Sequence, residues 1–135
     1  MVDMYYIKLY LLTFLAFLGI DAVWLAKIAP DFYKSNIGHL MADKPNLVPA
    51  GIFYLLNIFG ILIFAVLPAL KDNSPKTALV YGALYGFFTY ATYDLTNFAT
   101  LKNWPAKVVY VDIIWGIFLT ATVSVVSYYV GLKLR

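Results

Sequence analysis

The sequence predicts an all-α, polytopic membrane protein: an antiparallel bundle of four transmembrane helices forming one domain over residues 1–135. Composition comes first. The chain is 63% hydrophobic and 13% charged, with a mean hydropathy of +0.79, whereas soluble domains carry roughly a quarter charged residues. A soluble core of this length cannot hide that much apolar surface, so lipid is the solvent for most of it. The lengths of the apolar runs come second. Each exceeds the ~20 residues that a ~30 Å hydrocarbon layer requires. The third observation is punctuation, with Pro30, Pro49, Pro75 and Pro105 lying between runs or at their starts, where a missing amide donor costs least.

Taken in order, the first helix is expected over roughly 5–29, the second over 50–70, the third over 77–101 and the fourth over 106–132. Continuous apolar runs satisfy their backbone in lipid as helices. The first run is too long for a removable signal peptide, lacks a small-residue cleavage site, and reads as retained. One connection is long. "PDFYKSNIGHLMADKPNLVP", residues 30–49, has an apolar side of Phe32, Tyr33, Ile37, Leu40 and Met41, broken by Lys34, Ser35, Asn36 and His39. It reads as an interfacial helix, a cap over the bundle, or a solvated loop. The lone histidine, His39, reads as solvated.

Charge decides little about orientation. Lys8, Lys71, Lys76, Lys133 and Arg135 fall on the side of the termini, and Lys27, Lys34, Lys44, Lys102 and Lys107 on the other. That even division leaves the positive-inside rule without a preference; the terminal amine and the denser basic stretches place the termini in the cytoplasm. No run of Lys or Arg suggests a nucleic-acid partner. Cysteine is absent, which removes disulfides, thiolate metal sites and redox motifs.

Polar residues inside the runs carry the functional signal. Asp21 precedes Pro30 by about 13 Å of helix, Asn57 follows Pro49 by about 12 Å, Asp94 precedes Lys102 by about 12 Å, and Asp112 follows Pro105 by about 10 Å. Alternating helix directions put all four at one depth in one leaflet, with Asn97 one turn beyond Asp94 on the same face. An ionised Asp facing lipid costs roughly 2.5–3.5 kcal/mol even on lenient insertion scales, so these side chains are expected to face inwards. The pattern "DAVW" (Asp21, Trp24) recurs as "DIIW" (Asp112, Trp115), each indole on its own carboxylate's face. Tyr54, Tyr90 and Tyr93 fall near the same layer and can donate to an Asp. Gly82 and Gly86 form a small-residue face for packing within the bundle or for a homo-oligomer.

The combination of "DAVWL", "YATYDLTNFATLKNWP" and "VDIIWG" resembles the small bacterial membrane proteins catalogued as domain of unknown function 2177, over nearly the whole chain. The resemblance implies a multi-pass protein of the inner (plasma) membrane, with Asp21, Trp24, Tyr93, Asp94, Asn97, Trp104, Asp112 and Trp115 at signature positions. It implies no activity. An association of the family with fatty-acid-modifying enzymes points to membrane-lipid metabolism, by association alone.

Several chemistries are excluded. Histidine-rich iron oxygenases need more than one histidine. No serine has a paired base, and no phosphate-cradling glycine loop is present. Acid chemistry by Asp with Tyr support stays open, as does a hard cation on carboxylates, although clustered metal-ligand spacing is missing. No cofactor is expected. The candidate ligand-binding residues are Asp21, Trp24, Asn57, Tyr90, Tyr93, Asp94, Asn97, Asp112 and Trp115. They are expected to line a one-sided polar pocket for a membrane lipid or small amphiphile. The alternatives are a small proton- or cation-coupled transporter or channel, and a purely structural polar layer.

Overall fold

The computed structural model describes residues 3–135. It is all-helical, with four helices: Met4–Leu40, Leu47–Asp72, Pro75–Thr100 and Ala106–Leu134. Three of them, the first, second and fourth, are long and apolar enough to cross a membrane. The third, expected as a span over 77–101, has 26 residues but a more polar composition. Its tyrosines, threonines, Asp94 and Asn97 lower its hydropathy.

Three of the four helix starts are set by side-chain caps, and the fourth follows Pro105 without one. Asp3 accepts from the Tyr5 N–H at 3.0 Å, Asn46 from Val48 at 3.1 Å and Ser74 from Thr77 at 3.1 Å, each satisfying an amide that has no helical partner. Between the second and third helices, Asn73 takes the left-handed conformation (φ 49°) that asparagine tolerates at a helix end. Arg135 ties the end of the chain to the same turn, donating to the Leu70 carbonyl at 2.9 Å and to Asn73 Oδ1 at 3.2 Å.

The first helix does not stop at residue 29. It passes through Pro30 and stays helical to Leu40, and the second helix already starts at Leu47, so only residues 41–46 of the expected 30–49 connection lie outside helix. A wide π turn, Trp24–Ile28, makes this possible. Proline has no N–H to give residue i−4, and its ring crowds that carbonyl; the π turn contains Ala26, the carbonyl in question, and opens the ladder there. The second helix repeats the device, with a π turn at Leu62–Val66 ahead of Pro68. Beyond Pro30, Phe32, Tyr33 and Ile37 pack onto Trp104, Val108 and Val109. The segment therefore caps the start of the fourth helix, and His39 on it is exposed.

The fourth helix is central. Its most apolar stretch is 50% buried, against 28% and 33% for the first and second helices, and it packs along both the third helix and the first. Glycine permits the closest of these approaches. A Cβ on Gly86 would lie 2.2 Å from the Gly116 carbonyl oxygen, and one on Gly82 would lie 2.5 Å from Ser124 Oγ. As one number rises the other falls, so these two helices run in opposite directions. Both glycines are thus occupied by packing inside the chain. The second helix meets the third mainly through Leu62–Val66, while its first half lies against the first helix. A gap is left between that half and the end of the third helix.

Candidate functional site

The buried polar side chains include Asp21, Asn57, Asp94 and Asp112, all turned into the protein. They do not form one group. Asp21 sits on the first helix four residues after Phe17, and both of its oxygens are used. Tyr54 Oη donates to one at 2.7 Å and Trp115 Nε1 to the other at 3.3 Å. The two Asp-x-x-Trp motifs therefore cross-brace. The second motif's tryptophan serves the first motif's aspartate, while Trp24 and Trp115 stack with centroids 4.6 Å apart and planes 10° from parallel. Each indole shares a helix face with its own carboxylate, and the antiparallel contact of the first and fourth helices gives Trp115 the other motif's Asp21 as its acceptor.

Asn57 makes a separate contact. Its Oδ1 accepts from Tyr85 Oη at 3.1 Å, and that hydroxyl lies directly over Gly60, where a Cβ would be 2.0 Å away. Asn97 is half-buried, and its backbone carbonyl accepts from the Leu101 N–H at 2.9 Å, closing the third helix.

Asp94 and Asp112 have different surroundings, although Tyr90 lies within electrostatic reach of both and of Asp21. They line a cavity of ≈ 600 Å³ with Tyr33, Ile37, Met41, Phe53, Thr89, Tyr90, Tyr93 and Trp104. That volume lies within the range of small-molecule sites. The floor is buried: Asp94 is 1% exposed, Trp104 and Asp112 7% each. The rim is open, with Phe53 50% exposed, Met41 49% and Tyr93 54%. The cavity thus occupies the gap between the first half of the second helix and the end of the third, roofed by the extension of the first.

Local sequence explains the floor. After Thr100 the chain turns through Asn103, again left-handed (φ 61°), and Pro105 starts the fourth helix. That reversal carries Trp104 back beneath the third helix, where its ring meets Tyr93 edge-on, centroids 6.0 Å apart. Gly116 lets the Tyr90 ring lie on the fourth helix, since a Cβ there would come within 2.3 Å of it. Tyr33 Oη donates to Asp112 Oδ1. Asp94 is different, because neither of its oxygens has a hydrogen-bond partner, and the Trp104 Nε1 beside it has none either. Buried polar atoms are nearly always paired. The residues that carry this acceptor and this donor both line the cavity.

Of the expected ligand-binding residues, Tyr90, Tyr93, Asp94 and Asp112 line the cavity, and Asp21, Trp24, Asn57, Asn97 and Trp115 do not. The separation is physical, for Asp21 and Asn57 have partners supplied by other helices. The sequence reasoning missed Tyr33, Ile37 and Met41, because the segment after Pro30 reads as a connection. Trp104 stood at a signature position, yet nothing local aims it inward except the "KNWP" turn. Among the described residues, no group of three or more His, Cys, Asp or Glu is placed to hold a metal ion, in keeping with three carboxylates divided between two places.

Residues 6–129 match the family described as predicted membrane protein DUF2177. The chain belongs to this family. The match takes in every cavity-lining residue and both Asp-x-x-Trp motifs. No curated protein and no solved structure matches the chain.

Proposed function

We propose that the chain is a multi-pass protein of the plasma membrane in which all four helices cross. Its cavity admits a lipid or small amphiphile from one leaflet, in the service of membrane-lipid metabolism. The third helix suits lipid despite its polar composition. Leu84, Phe88, Leu95 and Phe98 face outwards, and the hydroxyls of Thr89, Thr92, Thr96 and Thr100 fold back onto carbonyls four residues earlier, which hides their polarity from an apolar surrounding. With the termini in the cytoplasm, the cavity opens to the outer leaflet.

The observation that carries this reading is the Asp94 carboxylate. It is almost wholly buried and makes no hydrogen bond among the described residues, and its residue lines a largely apolar cavity with an exposed aromatic rim. A purely structural polar layer predicts paired groups, as at Asp21; Asp94 is costly to the fold unless something else satisfies it. Transport across the membrane has less support. Towards the termini, Thr13, Thr120, Ser124 and Ser127 are buried on the helix contacts, but no carboxylate continues the path.

The test is mass spectrometry of amphiphiles extracted from the purified protein and from Asp94→Asn. The substitution keeps the shape and removes the charge. The expected result is normal folding with loss of a co-purifying molecule. Identical extracts and identical melting of the two proteins would overturn the pocket reading.

A further inference from the structure

Resting on that pocket reading, we propose that the amphiphile carries a primary ammonium head group, which the floor of the cavity selects. Asp94 presents two buried oxygens with no donor, and Asp112, on the same floor, has one oxygen engaged by Tyr33. A carboxylate accepts on both oxygens and donates nothing when ionised, whereas an ammonium brings three donors and no acceptor. The two are complementary in number and in charge. Among the described residues, no Lys, Arg or His lines the cavity. A terminal phosphate or carboxylate on this floor would meet two acids and no counter-charge, which disfavours it strongly in a dry site, whereas the phosphate of an ethanolamine head lies two carbons further out, towards the rim.

The walls favour the same chemistry. Tyr93 and Trp104 stand at 83° to one another, forming an aromatic corner, and Tyr90 lines the same space. Aromatic faces attract a cation placed over them, more so when it is desolvated. The Trp104 N–H lies beside the Asp94 carboxylate and completes the floor of the cavity. A plain hydroxyl head donates a single hydrogen bond and leaves the carboxylate's charge uncompensated. Two sources share this chemistry, an ethanolamine-headed phospholipid and a free long-chain amine.

The experiment uses the full chain in detergent. It is loaded with an equimolar mixture of phosphatidylethanolamine, its N-acetylated form and phosphatidylglycerol bearing the same acyl chains, and bound lipid is read by native mass spectrometry. In a second arm, dodecylamine and dodecanol compete for the site. Retention of phosphatidylethanolamine over both other lipids by about tenfold is expected from a charge-assisted hydrogen bond in a buried site, and Asp94→Asn should erase that preference. Trp104→Phe should lower retention yet keep the order, since it loses the N–H and keeps an aromatic face. Retention of dodecylamine over dodecanol without phosphatidylethanolamine binding would assign the free amine as the source and still support ammonium recognition. Retention of all three lipids alike, or preference for phosphatidylglycerol, would overturn the ammonium assignment while leaving the pocket in place. Retention of none, with no displacement in the second arm, would overturn the pocket itself. The comparison among lipids on the native chain needs no variant to fold.

Discussion

Tyr54 and Tyr33 each donate a hydroxyl to a buried aspartate, Tyr54 to Asp21 and Tyr33 to Asp112, yet removing the two hydroxyls should have different consequences. Asp21 has a second donor in Trp115 and lies outside the cavity lining, so Tyr54→Phe weakens a brace between helices. Hydrogen bonds of this kind inside membranes are worth about 0.6 kcal/mol on average and about 1.7 at most. Tyr54→Phe is therefore expected to lower stability by about 1 kcal/mol in a denaturant titration and to leave retained amphiphile unchanged. Tyr33 stands at the cavity, and Tyr33→Phe frees an Asp112 oxygen towards whatever occupies it. The expected signature is altered amphiphile retention at a similar stability cost. Equal retention by the two variants would show that Tyr33 is a brace like Tyr54.

Helix contacts here depend on absent side chains as much as on present ones. At Gly86 a Cβ would strike the backbone of Gly116 at 2.2 Å, and backbone cannot rotate away as a side chain can. Gly86→Val must force the third and fourth helices apart. Overpacking in a tight core costs about 3 kcal/mol at the upper end of the usual range. A markedly lowered melting temperature, or loss of the monodisperse peak in size-exclusion chromatography, is expected. Gly19 has nothing within 4 Å of its Cβ position, and Gly19→Leu should melt like the native chain. The second to fourth helices were legible to within about three residues at each end, because apolar length and proline position are local properties. The first was not. Proline reads as a terminator, and only the π turn at Trp24–Ile28 lets the helix continue past Pro30. That continuation moves Tyr33 from an apparent loop to the carboxylate of Asp112. The pattern of Asp and Asn spacing located the buried polar residues but could not divide them. Their division depends on which tyrosine or tryptophan arrives from another helix, and nothing in the spacing of Asp21 or Asp94 encodes that arrival.

At the scale of the whole molecule, the third helix decides the topology. If it crosses, both termini lie on one side together with the turn at 73–74, and the connections at 41–46 and 101–105 lie on the other. If it does not, the turns before and after it share a side and the termini fall on opposite sides. The even division of basic residues cannot separate these arrangements, but the chain has no cysteine, so single introduced cysteines report without interference. Asp72→Cys, Lys44→Cys, Lys102→Cys and Arg135→Cys place a thiol in or directly beside each connection and at the C-terminal end, all at exposed positions. Labelling of sealed vesicles or intact cells with a membrane-impermeant maleimide should pair Asp72→Cys with Arg135→Cys, and Lys44→Cys with Lys102→Cys, the two pairs reacting from opposite faces. With the termini in the cytoplasm, the Lys44 and Lys102 positions react from outside the cell, on the face next to the cavity. Reaction of Asp72→Cys and Lys102→Cys from the same face would remove the third helix from the membrane. The cavity rim at Tyr93 would then open to water, and a lateral route for lipid between the second and third helices would be lost with it.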